Sequence, residues 1–437
     1  MNEGTSAPVP AGAVSLWASG NFRRYFAARS ASLLGDTVLP IGLSAAVLEQ
    51  GFGASGVGYA LAASLAPTIL LMLFGGALAD HFRPKPMMVF ADLVRFLAQG
   101  VLCVLLLVGE PSLWAILVTQ VVFGVATALF QPTISGLVPE IAPDDVHKAN
   151  GLLRIAESMV TLGGPALAGI LLAFAPATAV VGIDAATCLI SAILVATLRL
   201  AGKRGDQGPP KVFDDIREGW SEFVSRPWLY SVISAFAVMG LVVFGPFQVL
   251  SATVLTEDHG ASAYGLLMSA HGLGAVIGGL VGLRRMPRRP LRTGALAMLA
   301  FAPQLAFIAL GAPVPLVAVG MLVAGIGRSY WAVMWSTSVQ TRVPPDVLNR
   351  VLAYEITGSM MLIPVGRAVA GPVSESLGST PVLMTGAVCT VIGCLSLLLV
   401  PSVRRLALQR PDRVPGDPAE PVPASSPRTE TTEGRSA

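Results

Sequence analysis

Long apolar stretches, separated by short polar ones, recur along the whole chain and set the scale of the fold. Each is long enough for an α-helix, which rises about 1.5 Å per residue, to cross roughly 30 Å of hydrocarbon. Twelve can be read from the sequence, near residues 26–49, 57–79, 87–108, 113–137, 150–174, 178–198, 229–255, 263–283, 292–311, 315–340, 351–374 and 380–401. The ten-residue alternation of a transmembrane barrel is missing, so helices are favoured. The pattern predicts an all-α integral membrane protein with twelve transmembrane helices.

The composition supports a membrane protein and limits its chemistry. Of 437 residues, 53% are hydrophobic and only 13% are charged, against roughly 25% charged residues in a soluble domain. All four cysteines fall inside apolar stretches, where cysteine behaves as a small hydrophobe, so neither a disulfide framework nor a metal site is predicted. The net charge of +3 is explained by basic loops beside anionic lipid and requires no nucleic-acid partner.

Lysine and arginine between the stretches are confined to every second connection. The even-numbered connections hold Arg83, Lys85, Lys148, Arg199, Lys203, Arg204, Lys211, Arg217, Arg226, Arg284, Arg285, Arg288, Arg289, Arg292, Arg342 and Arg350, and the odd-numbered ones hold none. Because short cytoplasmic loops carry the excess of bases, both termini are predicted to lie in the cytoplasm, in a multi-pass protein of the cell membrane. The first twenty residues lack an uninterrupted apolar core and a cleavage site, so no removable signal peptide is predicted.

The sequence repeats itself at an offset of about 202 residues. The matching pairs are Gly76 with Gly278, Leu78 with Leu280, Pro143 with Pro345, Gly164 with Gly366 and Gly169 with Gly371. This repeat predicts two pseudo-symmetric six-helix bundles with a substrate site between them, near the middle of the membrane. The predicted division is a cytoplasmic N-terminal segment at 1–22, bundles at 23–198 and 229–401, a cytoplasmic linker at 199–228 with helical spacing inside it, and a disordered, proline-rich cytoplasmic tail at 402–437.

Several stretches resemble a known family. NFRRYFAARSASLLGD at 21–36, GYALAASLAPTILLMLFGGALAD at 58–80, LFQPTISGLVPEIAP at 129–143 and WSTSVQTRVPPDVLNRV at 335–351 are similar to the major facilitator superfamily, and within it to the macrolide-efflux-like branch of twelve-helix drug:proton antiporters. The resemblance implies a monomer without a cofactor that exports a small amphiphilic molecule (a drug, a macrolide-like compound or a self-made metabolite) by alternating access, driven by proton antiport.

Other functions remain open at this point. A siderophore exporter, an uptake transporter and a membrane scaffold that has lost transport would all keep the same helix pattern. An enzyme is not favoured, because the sequence holds no GxxxxGK[ST], HExxH, GxSxG or aspartate-rich diphosphate motif.

The loop after the second stretch resembles the superfamily signature G-x-L-x-D-R-x-G-R-[KR]. The matching residues are Gly76, Leu78, Asp80 and Lys85, whereas His81, Arg83 and Pro84 depart from it. The resemblance implies that Gly76, Asp80 and Lys85 form a latch between the two halves. An ordinary basic turn is the alternative, and in the second copy Gly282 replaces Asp80.

The fifth stretch carries LGGPALAG, with Gly163, Gly164, Pro165 and Gly169. This element is similar to the G-P-x-x-G-G motif of exporters of the superfamily, and it therefore favours export over import. A proline in mid-helix kinks the span, and the glycines allow a neighbouring helix to approach. Ordinary helix packing is the alternative reading.

Ionisable side chains deep in the apolar stretches are candidate functional residues, because burying them in hydrocarbon is costly. The resemblance places Asp36 and Arg328 on cavity-lining helices of opposite halves. We expect Asp36 to bind a proton or a cationic substrate, and Arg328 to be its counter-ion or a contact for an anionic substrate. A purely structural pair is the alternative. His271 is a candidate proton relay or a packing residue, whereas Asp184 and Arg367 are expected to be structural. Residues nearer the cytoplasmic face are expected to reach the interface or pair there; they are Asp92, Arg95, Arg154, Glu157 and Glu355.

Polar and aromatic residues of the predicted cavity helices complete the candidate site. They are Gln120, Gln131, Gln248, Trp331 and Trp335. An apolar, aromatic lining with a few polar groups suits a bulky amphiphile, although each of these side chains could instead face lipid or a neighbouring helix. The fourth stretch holds no base, where many proton-coupled exporters carry an arginine, so proton coupling rests on the resemblance.

Overall fold

The computed structural model describes residues 16–81, 83–109, 111–143, 145–200, 221, 223–284, 286–404 and 406. Within these residues twelve helices are long and apolar enough to cross a membrane, and no strand occurs. They are α1 Gly20–Glu49, α2 Gly53–His81, α3 Pro84–Val108, α4 Leu113–Ile141, α5 Val146–Phe174, α6 Ala177–Ala196, α7 Pro227–His259, α8 Ala261–Arg284, α9 Pro290–Ala309, α10 Val314–Arg342, α11 in two pieces (Pro345–Met360 and Ile363–Leu377) and α12 Ser379–Leu399; a short helix α13, Pro401–Arg404, follows. The predicted fold class is confirmed.

Residues 1–15, most of the predicted linker and 407–437 lie outside the described part of the chain. The segment boundaries expected there therefore stay predictions. Below, α1–α6 are called the N-terminal half and α7–α12 the C-terminal half. The connections after odd-numbered helices define the odd face, and those after even-numbered helices define the even face.

The helix ends follow local chemistry. Ser19 accepts a hydrogen bond from the backbone N–H of Phe22 at 3.3 Å, which caps α1 six residues before its apolar stretch. The early start is useful because Tyr25 donates its hydroxyl to the Ile134 carbonyl of α4 at 3.2 Å. At the odd face, Gly260 (φ 86°) and Gly378 (φ 88°) reverse the chain between consecutive spans, a backbone conformation that glycine adopts without steric cost.

Two spans of the C-terminal half are irregular where they meet. A π-helical turn, Gly240–Phe244, interrupts α7, and α11 breaks between Met360 and Ile363. A Cβ on Gly366 would meet the Leu241 carbonyl, so the small residues let the two irregular segments lie against each other. Such π-turns are uncommon and occur often at functional sites.

The two halves touch through α2 against α11 and α5 against α8. A Cβ on Gly169 of α5 would lie 2.9 Å from the Gly265 Cα of α8, and a Cβ on Gly371 would meet the backbone of Ser55. Glu375 accepts the backbone N–H of Ser55 at 3.0 Å. All of these close approaches lie toward the odd face.

Candidate functional site

A charged cluster is buried inside the N-terminal half. At its centre the guanidinium of Arg95, on α3, is fully buried. It donates hydrogen bonds to the carboxylate of Asp36 on α1, to Asp92 Oδ1 at 3.3 Å and to Ser32 Oγ at 3.1 Å. A guanidinium removed from water needs several such partners to offset its lost hydration.

Aromatic rings of α4 complete the surroundings of Arg95. Its Cζ lies 4.9 Å from the centre of the Phe123 ring and 5.0 Å from that of Phe130. The negative face of an aromatic ring attracts a cation, and more strongly so when water is excluded. Residues of α1, α3 and α4 thus form the cluster. These contacts explain how α3 holds a buried arginine although many of its other residues face lipid.

Two further carboxyl groups lie around Arg95. Asp92 is fully buried and accepts a hydrogen bond from Ser191 of α6 at 2.5 Å. Asp184, also on α6, is fully buried, and neither of its carboxyl oxygens has a hydrogen-bond partner among the described residues. It lies against Gly35 of α1, where a Cβ would meet Asp184 Oδ1. Three carboxyl groups therefore surround one guanidinium in a largely dry site.

Asp36 connects this cluster to open space. Its side chain is 29% exposed, whereas that of Arg95 is 0% exposed. Asp36 is therefore the member of the Asp36–Arg95 pair that can be reached from outside the cluster, while Arg95 binds the same carboxylate from its buried side.

The expected pair of Asp36 and Arg328 is not formed in this structure. Asp36 bonds to Arg95, and the Arg328 guanidinium lies 5.6 Å from the ring centre of Phe244 on α7. The sequence predicts that Asp92 and Arg95 reach the interface or pair there; they do pair, at 3.3 Å, but both side chains are fully buried and do not reach a surface. The Asp92–Arg95 spacing of three residues on one helix was the available signal, since it places an acid and a base on the same face.

Arg328 belongs to an exposed stripe of α10. Arg328, Ala332 and Ser336 are exposed at successive turns, beside two buried tryptophans that form a wall. Trp331 stacks on Phe236 of α7 with ring centres 5.2 Å apart, and Trp335 Nε1 donates to Glu355 Oε1 of α11 at 2.8 Å. The two indoles thus fix α10 to α7 and α11, with little of their own surface exposed.

The three glutamines expected at the cavity have different surroundings. Gln120 is fully buried and its Nε2 lies 3.5 Å from Gln99 Oε1 of α3, so it faces the interior of the half. Gln131 is half-buried. Gln248 accepts Arg367 Nε at 2.7 Å, and Arg367 Nη1 donates to the Leu61 carbonyl of α2 at 2.7 Å. Arg367 therefore joins the two halves.

His271 lies among aromatic side chains of the C-terminal half. Its ring centre is 6.5 Å from that of Phe247 and 6.4 Å from that of Phe301, and its Nδ1 has no hydrogen-bond partner among the described residues. Both roles that the sequence left open for His271, proton relay and packing, stay predictions.

The α5 motif has two packing positions and one open one. A Cβ on Gly164 would meet Thr37 of α1, and one on Gly169 would meet Gly265 of α8, whereas Gly163 has no atom within 4 Å. The carbonyl of Pro165 lies near Gly265, at 2.8 Å from an ideal Cβ there. Gly164 thus packs within the half and Gly169 packs between the halves.

The predicted latch is described only at one end. The side chains of residues 73–82 lie outside the described part of the chain, and this range includes Gly76 and Asp80. Lys85 Nζ donates to the Leu198 carbonyl at 2.7 Å, so Lys85 ties the start of α3 to the end of α6.

The arrangement of spans defines the class of this protein. Two sets of six crossing helices that touch at one face, with charged residues held at membrane depth, form the build of a secondary transporter. The family model of the Major Facilitator Superfamily matches residues 25–359, and the chain belongs to this superfamily. It is therefore a multi-pass membrane transporter and not an enzyme, and the resemblance found in the sequence is confirmed.

Named relatives are remote but cover most of the chain. Macrolide efflux protein A of Streptococcus pyogenes is 21% identical over 407 residues, which are 89% of this chain and 98% of that protein. The multidrug efflux pump Tap of Mycolicibacterium fortuitum is 24% identical over 370 residues, covering 79% and 89%. The crystal structure of the nucleoside transporter NupG superposes with a TM-score of 0.71 at 14% identity and covers 88% of this chain and 99% of that chain, a likeness of fold alone.

Proposed function

We propose that this transporter exports a small amphiphilic molecule by alternating access and that proton entry through the N-terminal cluster drives it. Two named efflux proteins among its relatives and the α5 motif favour export. The observation that carries the proton part is the cluster itself, in which Asp36 and Asp92 pair with one buried guanidinium. Asp184 lies nearby without a hydrogen-bond partner among the described residues, and Asp36 is the acid of the cluster that is partly exposed.

Orientation follows from the loop charges. The even face holds the basic connections, so we assign it to the cytoplasm, with both termini there and the protein in the cell membrane. The close contacts between the halves then lie on the outer side, at Gly169 with Gly265 and at Ser55 with Glu375. On this assignment we infer that the protein is closed to the outside and that the exposed side of Asp36 and Arg328 is reached from the cytoplasm.

Competition for one carboxylate gives a simple coupling mechanism. With the outside open, a proton binds the Asp36 carboxyl and releases Arg95 toward Asp92 and Asp184. On turning inward, Arg95 rebinds Asp36 and the proton leaves to the cytoplasm, which is the ion-paired state seen here. A ligand shifts such an equilibrium only by its differential affinity for the two states, so antiport requires substrate to bind the deprotonated protein better than the protonated one.

The uncompensated acids explain why a proton is needed. If all three carboxyl groups were ionised beside one guanidinium, the cluster would carry two excess negative charges in a buried site, at a cost of several kcal/mol. Asp184, which has no hydrogen-bond partner among the described residues, is the group that we assign a permanent proton. Asp36 then carries the proton that moves.

The test compares two acid-to-amide substitutions in cells that express the protein. Accumulation of labelled macrolides, cationic dyes and siderophores is measured with and without a protonophore for wild type, Asp36→Asn and Asp145→Asn. Asp145 is the matched control, because it forms a surface ion pair with Lys148 at 2.6 Å, and such pairs contribute little. We expect wild type and the control to lower accumulation in a protonophore-sensitive way and Asp36→Asn to lose this effect.

Each other result has a defined meaning. Full, protonophore-sensitive export by Asp36→Asn would remove Asp36 from the proton path. Accumulation that rises with expression would show uptake, and lowered accumulation of siderophores alone would make the protein a siderophore exporter. No change for any compound would remove the reason for naming amphiphilic drugs and would favour the scaffold alternative.

A further inference from the structure

A basic cavity of about 670 Å³ opens on the even face, outside the space between the halves. It lies where the first turn of α9 meets the end of α12 and the short helix α13. Its lining residues are Arg289, Arg292, Leu296, Leu398, Leu399 and Arg404. Half of these are arginines and half are leucines, so the cavity has a cationic part and an apolar part.

The three arginines have no acidic partner among the described residues. All three side chains are exposed, and none of them takes part in the ion pairs of α1, α3 and the start of α5. The sequence explains this shortage, because no Asp or Glu occurs between Asp258 and Asp346 or between Glu375 and Asp412. Three converging guanidinium groups repel one another unless an anion joins them.

The apolar part of the cavity indicates where that anion comes from. Leu296 is 44% exposed and Leu399 is 76% exposed, and both lie within a turn or two of the ends of membrane-crossing helices. Leucines exposed near the ends of membrane-crossing helices are suited to contact with acyl chains. The arginines lie closer to the helix ends or beyond them, where a basic side chain can reach phospholipid phosphates.

Shape and chemistry agree with a phospholipid. The volume of about 670 Å³ is within the roughly 300–1,000 Å³ typical of small-molecule sites. Guanidinium groups bind phosphate oxygens through paired N–H donors, and basic pockets between helices at the cytoplasmic side are suited to anionic headgroups.

We propose that this cavity binds the phosphate of an anionic phospholipid from the leaflet at the even face, with Arg289, Arg292 and Arg404 as its ligands and Leu296 and Leu399 along its acyl chains. The bound lipid bridges α9, α12 and α13. This site is independent of the transported molecule and of the direction of transport.

Binding is measured by native mass spectrometry of the purified full-length protein in detergent. The probes are phosphatidylglycerol, phosphatidylcholine and inorganic phosphate, each titrated separately. The test variant carries Arg289→Gln, Arg292→Gln and Arg404→Gln, and the matched control carries Arg23→Gln, Arg83→Gln and Lys148→Gln, three other exposed bases. A second variant with Lys at the three cavity positions keeps the charge but loses the paired donors.

We expect wild type and the control to bind phosphatidylglycerol at least about tenfold more tightly than phosphatidylcholine, and the Gln variant to lose this preference. The Lys variant should retain an intermediate preference. If inorganic phosphate bound as tightly as phosphatidylglycerol, the ligand of the cavity would be a free anion and the lipid proposal would be overturned. Equal binding of both lipids, or unchanged binding by a folded Gln variant, would overturn the site.

Discussion

The two halves of the transporter hold their deep charges in opposite ways. In the N-terminal half, Asp36, Asp92 and Arg95 bond to one another and Asp184 lies nearby. In the C-terminal half, the deep arginines have no carboxylate partner among the described residues. Arg328 lies over the Phe244 ring, and Arg367 is bonded to amide and carbonyl oxygens.

The internal repeat makes this difference informative. Positions 202 residues after Asp36, Asp92, Arg95 and Asp184 are Val238, Gly294, Ala297 and Gly386. The scaffold was thus duplicated, but the buried cluster exists in one copy only. We infer that proton handling belongs to the N-terminal half, whereas the C-terminal half offers the substrate the exposed positive charge of Arg328, beside aromatic rings that are largely buried.

Removing Arg95 should cause the largest loss of stability among the variants that compare the two halves. Arg95→Met leaves Asp36 and Asp92 without their buried cation, and breaking a buried pair in this way costs about 3–5 kcal/mol. Arg328→Met, in contrast, leaves no acid unpaired and should cost much less. Thermal unfolding of the two purified variants in the same detergent measures the difference, and equal losses would contradict a charge cluster confined to one half.

The cluster marks the limit of what the sequence predicts. Hydropathy alone placed the twelve spans, because lipid requires a long apolar helix for each crossing. It could not place Arg95, since an arginine eleven residues into a helix can either reach the interface or turn inward. The direction of the Arg95 side chain depends on Asp36, Phe123 and Phe130, which belong to other helices. Contacts between helices leave no pattern in the local sequence that would predict them. The π-turn of α7 is likewise invisible in the sequence; it lies where Gly240 and Gly366 let α7 and α11 approach closely.

A methyl group at Gly35 should disturb the cluster from its α1 side. A Cβ there would overlap Asp184 Oδ1 and Thr187 Oγ1, so Gly35→Ala must push α6 away from α1, at about 1–3 kcal/mol for overpacking. Gly100→Ala on α3 is the control, because no atom lies within 4 Å of its added Cβ, and alanine is there the better helix former. Unfolding temperatures should fall for Gly35→Ala and stay level or rise for Gly100→Ala.

Neutralising Arg328 should separate substrate binding from proton coupling. Arg328→Gln removes an exposed charge that no acid of the described chain pairs, so we expect KM for an anionic or polar substrate to rise by roughly tenfold, on the order of 1.4 kcal/mol. Transport by Arg328→Gln should still depend on the proton gradient, whereas transport by Asp36→Asn should not. Initial rates in proteoliposomes, over a range of substrate concentrations with and without a pH gradient, measure both. Loss of the gradient dependence would place a coupling residue in the C-terminal half.

The smallest effect is expected at the contact between the halves on the odd face. Glu375, at the end of α11, accepts the backbone N–H of Ser55 in the first turn of α2 at 3.0 Å, so a carboxylate of one half meets the positive helix end of the other. Glu375→Gln keeps the shape and removes the charge, which weakens outer closure by about 0.3–1 kcal/mol and should shift the population toward the outward-open state by a factor of roughly 2–5. With spin labels at Gln50 and Leu377, on the odd face, this shift would appear as a larger population of the longer distance between the two labels. Because Ser376 is exposed and donates only to the Val373 carbonyl of its own helix, Ser376→Ala is the control, and an equal shift in both variants would show that Glu375 does not hold the outside closed.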